Sequence, residues 1–124
     1  MAGLTLDAGA LIAYERSEER IREILAVAYA RGLVPTIPAI ALAEVWRGDA
    51  KDARVARLLK ACAIEVVDEG LARAAGRLRR ATAGASTVDA CIAVGVARRG
   101  DAIATSDSND MRSLLGPGFT ILAA

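Results

Sequence analysis

The stretch "STVDACIAVGVARRGDAIATSDSND" (residues 86–110) contains a predicted helix followed directly by a predicted strand. The helical pattern ends at a glycine, and the short apolar run "AIAT" (102–105) has the length of a buried strand. Acidic residues flank both elements: Asp89 in the first turn of the helix, and Asp107 and Asp110 just after the strand. Since a helix leading into a parallel strand runs antiparallel to it, the first helical turn is expected beside the strand's carboxyl end.

The rest of the chain repeats this alternation of short apolar runs and helical patterns. Further strands are predicted at 4–6, 33–37, 63–68 and 119–122. Pro38 is predicted to be the first residue of a helix that ends at Gly48. Strands separated by helices indicate parallel crossovers, so we expect an α/β fold: a three-layer α/β/α sandwich with a mostly parallel sheet of four to five strands. The length predicts one domain over residues 1–124.

The composition excludes several kinds of chemistry. The chain has no histidine, which removes imidazole bases and most zinc sites. Cys62 and Cys91 lie in apolar stretches and are interpreted as core residues rather than a disulfide. A net charge of +1 gives no global sign of a nucleic-acid partner. No signal segment or membrane-length apolar run is recognised, so we expect a soluble cytoplasmic protein with no membrane partner.

Four carboxylates stand in unusually apolar surroundings: Asp7, Glu44, Asp89 and Asp107. Each aspartate has a structural explanation, because Asp7 and Asp107 precede helices as N-caps do, and Asp89 completes a capping box with Ser86. The helix dipole favours Asp110 in a first turn. Glu44 is predicted mid-helix, where its structural explanation is a polar stripe or a salt bridge to an arginine.

Joint position favours a functional explanation. Ligands of open parallel sheets bind beyond the carboxyl ends of the strands, where all four carboxylates are expected. Unpaired carboxylates raise one another's pKa values, and a divalent cation relieves that repulsion. Oxygen ligands favour Mg²⁺ or Mn²⁺, which activate water for phosphodiester hydrolysis. We therefore expect Asp7, Glu44, Asp89 and Asp107 to be metal ligands and catalytic residues.

With those positions in view, the chain resembles the PIN-domain ribonucleases, specifically the toxin subunit (VapC type) of VapBC-like toxin–antitoxin pairs. The matching segments are "LTLDAGALIA", "IPAIALAEVWRG" and "TVDACIAVGVARRGDAIATSDSNDM". The resemblance assigns the metal site to the same four acids, with Thr105 as a supporting hydroxyl and Asp110 as an additional acid. It departs at Ser106, where the family often has arginine, and at Met111, where it often has an aromatic residue.

The resemblance implies an Mg²⁺- or Mn²⁺-dependent endoribonuclease, a homodimer, and a cognate antitoxin protein that covers the site. RNA as the substrate requires basic contacts, and Arg73, Arg77 and Arg80 share one face of a predicted helix. The alternative interpretation of that face is an ordinary solvated surface.

Two other functions remain open from the sequence. A phosphoacceptor receiver-like signalling domain also needs acids at strand ends, and Asp68 is available after the third strand, but no lysine follows Lys60. A catalytically inactive PIN-like binding scaffold would keep the fold alone. Binding of Mn²⁺ distinguishes this scaffold from the enzyme.

Overall fold

The structure, a computed structural model, describes residues 2–124. Five short strands form one sheet: β1 (Leu4–Leu6), β2 (Thr36–Pro38), β3 (Ala63–Glu65), β4 (Ala102–Thr105) and β5 (Ile121–Ala123). Seven helices connect them: α1 (Ala8–Glu15), α2 (Glu19–Ala30), α3 (Ala39–Val45), α4 (Ala53–Leu59), α5 (Glu69–Ala81), α6 (Thr87–Arg99) and α7 (Ser108–Leu115). A 3-10 turn (Ala50–Asp52) precedes α4.

The sheet is entirely parallel in the order β3-β2-β1-β4-β5, which confirms the predicted α/β fold with five strands. β1 is central, with Thr5 level with Thr36 on β2 and with Ile103 on β4. The carboxyl ends of β1 and β4 therefore lie side by side. This edge of the sheet is where ligands of parallel α/β proteins bind.

Two apolar cores lie on the two faces of the sheet, as a three-layer sandwich requires. On one face, Leu4 and Leu6 pack with buried residues of α1, α2 and α4. On the other, Ile103 packs against α6 and α7, and α5 covers α6. α6 is buried over seven consecutive residues from Ala90 to Val96, which explains its nearly continuous apolar sequence. α3 contributes to both cores and so bridges the layers.

Several predicted boundaries were wrong at their ends. Pro38 is the last residue of β2 rather than the first of a helix, with an extended backbone. α3 ends at Val45, before the predicted Gly48, because the carboxylate of Asp52 accepts hydrogen bonds from the backbone N–H groups of Arg47, Gly48 and Asp49. These bonds fold the segment after α3 into a turn.

Two edge strands also differ from their predicted spans. β3 ends at Glu65 rather than at Asp68, because Asp68 caps α5 by accepting a hydrogen bond from the backbone N–H of Leu71 at 2.8 Å. β5 covers Ile121–Ala123 instead of 119–122. Within residues 2–124, both cysteines are free, and no helix has the length and apolar character needed to cross a membrane.

Candidate functional site

Asp7 lies at the centre of the carboxyl edge, directly after β1. It is 4% exposed, and its backbone N–H donates to the carbonyl of Ala104 on the neighbouring strand. One carboxylate oxygen accepts from the backbone N–H of Gly9 at 2.8 Å, so Asp7 is the N-cap of α1. The other oxygen accepts from the hydroxyl of Thr105. Helix capping thus accounts for one oxygen of the Asp7 carboxylate, and the other oxygen is bound by a residue of β4.

Thr105 connects the ends of β1 and β4. Its fully buried hydroxyl donates to Asp7 and accepts from the backbone N–H of Asp107 at 3.0 Å. Asp107 occupies the N-cap position of α7, but its side chain makes no capping hydrogen bond among the described residues. The carboxylate of Asp107 is therefore left at the surface of the edge rather than used by the helix.

Asp89 and Glu44 approach from the two helices above the edge. Asp89 is half-buried in the first turn of α6, where the Ser86 hydroxyl accepts from its backbone N–H at 3.0 Å. Glu44 is exposed near the end of α3. A salt bridge, one of the two structural explanations for Glu44, does not form, since no described arginine lies within 4 Å of its carboxylate.

The electrostatics couple these carboxylates. Burial, opposed by the hydrogen bonds from Thr105 and the helix start, raises the pKa of Asp7, and the charge of Asp107 adds to the increase. Partial burial raises the pKa of Glu44. The negative charges of Asp89, Asp7 and Asp107 raise it further. The negative charge of Asp107 thus opposes the ionisation of Asp7, Glu44 and Asp89 alike.

Asp89 extends the coupled group to Asp110. Burial raises the pKa of Asp89, and the charges of Asp107 and Asp110 raise it further, while the hydrogen bond with Ser86 lowers it in part. Asp89 and Asp110 also line one narrow cleft between the start of α6 and α7. The structure thus gathers all five predicted acids on one side of the molecule.

The donor set suits a hard divalent cation, because it consists of carboxylate oxygens that no described arginine or lysine neutralises. The side chains are not closed around a common point: within residues 2–124, no three acidic or cysteine side chains form a ready-made metal cage. The metal-ligand assignment stays a prediction that rests on donor chemistry and mutual repulsion.

The predicted basic face of α5 consists of exposed arginines. Arg73 forms an exposed ion pair with Glu69 at 2.7 Å, while Arg77 and Arg80 are exposed. Sequence reasoning missed a different group of arginines, at Arg22, Arg54 and Arg57, which line a common hollow. No sequence pattern predicts this group, because Arg22 on α2 and the two arginines of α4 are far apart in the sequence and line one hollow only in the folded chain.

Comparison with known structures identifies the same architecture elsewhere. VapBC2 from Rickettsia felis, bound to a DNA fragment from its promoter, is similar with a TM-score of 0.78 and 14% identity, over 98% of each chain. DNA-bound VapBC from Salmonella typhimurium is similar with a TM-score of 0.72 and 21% identity, over 99% of this chain and 98% of the other. FitAcB from Neisseria gonorrhoeae has a TM-score of 0.64 and 20% identity, over 96% of both chains.

Sequence comparison adds the family. A comparison with curated protein sequences gave no match. The model of the PIN domain, however, matches residues 4–114, which include β1, α6, β4 and all the acids described above. The chain therefore belongs to the PIN domain family.

Proposed function

We propose that this protein is a metal-dependent endoribonuclease, the toxin of a toxin–antitoxin pair. The observation that carries the proposal is the group of carboxylates at the carboxyl edge, coupled to one another and unpaired with cations. Such a group is costly without a ligand, and a divalent cation is the simplest one. When bound, Mg²⁺ or Mn²⁺ supplies water activation and charge stabilisation at the phosphate.

The residues divide into ligands and supports. Asp7, Glu44, Asp89 and Asp107 would hold the metal through their oxygens. Thr105 positions two of them, since its hydroxyl touches both the Asp7 carboxylate and the backbone of Asp107. Asp110 is an additional acid at the rim of the cleft beside Asp89. The contribution of Arg73, Arg77 and Arg80 to RNA binding stays a prediction.

Partners are proposed from the structural neighbours. Two of the similar structures are VapBC complexes on DNA, and a third is described as a toxin–antitoxin complex from Klebsiella pneumoniae. A cognate antitoxin that inhibits this chain is therefore part of the proposal, as is a homodimer. Exposed apolar side chains such as Val34, Trp46 and Val66 provide surface that partner chains would cover.

The decisive experiment uses the purified chain freed of any partner protein and a labelled structured RNA. We expect cleavage with Mg²⁺ or Mn²⁺ and none with EDTA, and a loss of at least about 100-fold in rate for Asp7→Asn and for Asp89→Asn. Asp68→Asn is the matched control, because Asp68 caps α5 away from the edge and asparagine caps equally well. Parental cleavage rates in both site variants would refute the assignment.

One other function has a specific observation behind it. The absence of a ready-made cage within residues 2–124 is also what an inactive binding scaffold would have. Thermal unfolding with and without Mn²⁺ separates the two, because an ion that binds only the native state raises Tm. A receiver-like domain is disfavoured, since Asp68 is used as a helix cap and the fold is that of a PIN domain.

A further inference from the structure

The strongest unexplained feature outside the acidic edge is a hollow of about 440 Å³ where α1, α2 and α4 meet. It is lined by Tyr14, Ser17, Arg22, Arg54 and Arg57, and we call it the arginine hollow. A second hollow beside it shares Arg54 and Arg57 and adds Lys51 and one acid, Glu15. Positive charge is therefore concentrated here in a chain whose net charge is only +1.

The charges of the arginine hollow are not neutralised by the protein. Within residues 2–124, no carboxylate lies within 4 Å of the guanidinium of Arg22, Arg54 or Arg57. The nearest acid of α1, Glu15, is already engaged, since it pairs with Arg47 at 2.7 Å. An anion entering the hollow would thus meet free guanidinium donors rather than displace an internal partner.

The hollow is also partly organised in advance. Arg54 donates to the backbone carbonyl of Glu15 at 3.1 Å and to the hydroxyl of Ser17. Ser17 occupies the left-handed region at φ 57°, which is uncommon for a residue other than glycine. The turn between α1 and α2 therefore orients one of the three arginines, and a pre-oriented guanidinium loses less freedom when it binds a ligand.

From these observations we propose that the arginine hollow binds backbone phosphates of the RNA that flank the cleaved bond. The proposal rests on the proposed function and deepens it. α1 connects the two places directly: Asp7 caps its first turn, and Tyr14 lies seven residues later, about 10 Å along the axis. No residue of α1 is itself exposed, so an RNA strand would run parallel to α1 over the elements that cover it, with one phosphate at the acids and another at the hollow.

The chemistry of the lining favours nucleic acid over an acidic protein segment. Guanidinium groups bind phosphate through paired hydrogen bonds. Tyr14, half-buried against the apolar core, adds the accessible part of an aromatic ring among the arginines, and aromatic rings stack on the unpaired bases of single strands. By contrast, Arg73 of α5 is already paired with Glu69.

The test compares two variants that remove equal charge. Arg22→Gln with Arg57→Gln alters the hollow but leaves Arg54 and its turn intact, whereas Arg77→Gln with Arg80→Gln alters the exposed face of α5. Binding of a short labelled single-stranded RNA is measured by fluorescence anisotropy in EDTA over a range of salt. Each phosphate contact contributes about 0.7 to the slope of log affinity against log salt, so the hollow variant should lose about 1.4.

We also expect the hollow variant to bind roughly tenfold or more weakly at about 0.1 M salt, a larger loss than that of the α5 variant. Parental binding by the hollow variant, or an equal loss in both variants, would overturn the proposal. So would displacement of the RNA by poly-glutamate at lower charge concentration than by unlabelled RNA, which would assign the hollow to an acidic protein segment.

Cleavage measured in parallel with Mn²⁺ separates this proposal from the proposed function. If the parent cleaves RNA while the hollow variant binds RNA normally, the hollow is not an RNA site, and the proposed nuclease function is supported. If the parent cleaves no RNA while the hollow variant loses RNA binding, the RNA site is supported and the proposed nuclease function is refuted.

Discussion

At the scale of single residues, the carboxyl edge works against the stability of the metal-free chain. Asp7 is nearly fully buried, and its charge is opposed by burial and by Asp107. The hydrogen bonds from Thr105 and Gly9 offset this cost only in part, since the pKa of Asp7 is still raised. The folded chain therefore binds a proton on Asp7 more tightly than the unfolded chain, so the contribution of Asp7 to stability falls as the pH rises through the usual carboxyl range.

This sign gives a prediction for Asp7→Asn. At pH 7 in EDTA, removal of the buried charge should raise Tm by about a few degrees, because the unfavourable ionisation is gone. The same variant should lose the increase in Tm that Mn²⁺ gives the parent. Thermal unfolding followed by circular dichroism measures both effects. Asp68→Asn serves again as the control with an unchanged Tm, and a lower Tm for Asp7→Asn in EDTA would show that loss of the acceptor for the Thr105 hydroxyl outweighs removal of the charge.

At the scale of elements, the sequence predicted which helices and strands exist better than where they end. β1 and β4 lie where they were predicted, because each combines a clear apolar pattern with a polar stop. The end of α3 was missed because it depends on Asp52, seven residues beyond Val45. Asp52 is 3% exposed and accepts three backbone N–H groups, although it stands in the most polar segment of the chain.

The candidate site shows the same limit. Asp7, Asp89 and Asp107 were predictable because strand ends and a helix start placed them at one edge. The contacts that align them were not, since they depend on close approach between distant segments. Gly9 is the clearest case: a Cβ built on it would lie 2.9 Å from the backbone nitrogen of Ser106, so α1 packs directly on the loop after β4.

Gly9→Ala should therefore separate α1 from that loop. The contact is with backbone as well as with a side chain, so we expect a loss of about 1–3 kcal/mol in the free energy of unfolding. Gly76→Ala is the matched control, because Gly76 lies inside α5 with open space around it and should gain about 0.5–1 kcal/mol. Urea unfolding measures both, and equal effects would show that the packing on Ser106 is not tight.

At the scale of the whole molecule, acidic residues are handled in opposite ways at two places. The carboxyl edge leaves its acids without cations, whereas the space between α6 and the sheet holds two carboxylates that share one arginine. Arg99 donates to Asp101 at 2.8 Å, to Thr5 at 2.9 Å and to Glu65. Thr5 in turn donates to Asp101 at 2.8 Å. This network joins β1, β3 and the start of β4 to the last turn of α6.

The parallel sheet was predictable from the alternation of elements, but the strand order and this network were not. The order β3-β2-β1-β4-β5 places Glu65 two strands from Thr5, and only then do both come within reach of Arg99. In the sequence, Arg99 is an ordinary cation at a helix C-terminus, where the dipole favours it in any protein. Its neighbour Arg98 is also a cation in the last turn of α6, but its side chain is exposed to solvent.

The pair of arginines therefore makes a sharp comparison. Arg99→Ala leaves the carboxylate of Asp101, whose side chain is 5% exposed, buried without its cation, and we expect a loss of about 3 kcal/mol or more in the free energy of unfolding. Arg98→Ala should change it by less than about 0.5 kcal/mol, since Arg98 makes a single 3.4 Å hydrogen bond to Gly70. Urea unfolding at pH 7 measures both.

The combined variant Arg99→Ala with Asp101→Asn removes the stranded charge and should recover part of the loss, because the penalty comes from an unpaired buried carboxylate rather than from the missing contact alone. If the combined variant is instead less stable than Arg99→Ala, the cost lies in the lost hydrogen bond between Thr5 and Asp101. In that case the Asp101 carboxylate stabilises the sheet through its hydrogen bond from Thr5, and Arg99 acts mainly to neutralise Glu65.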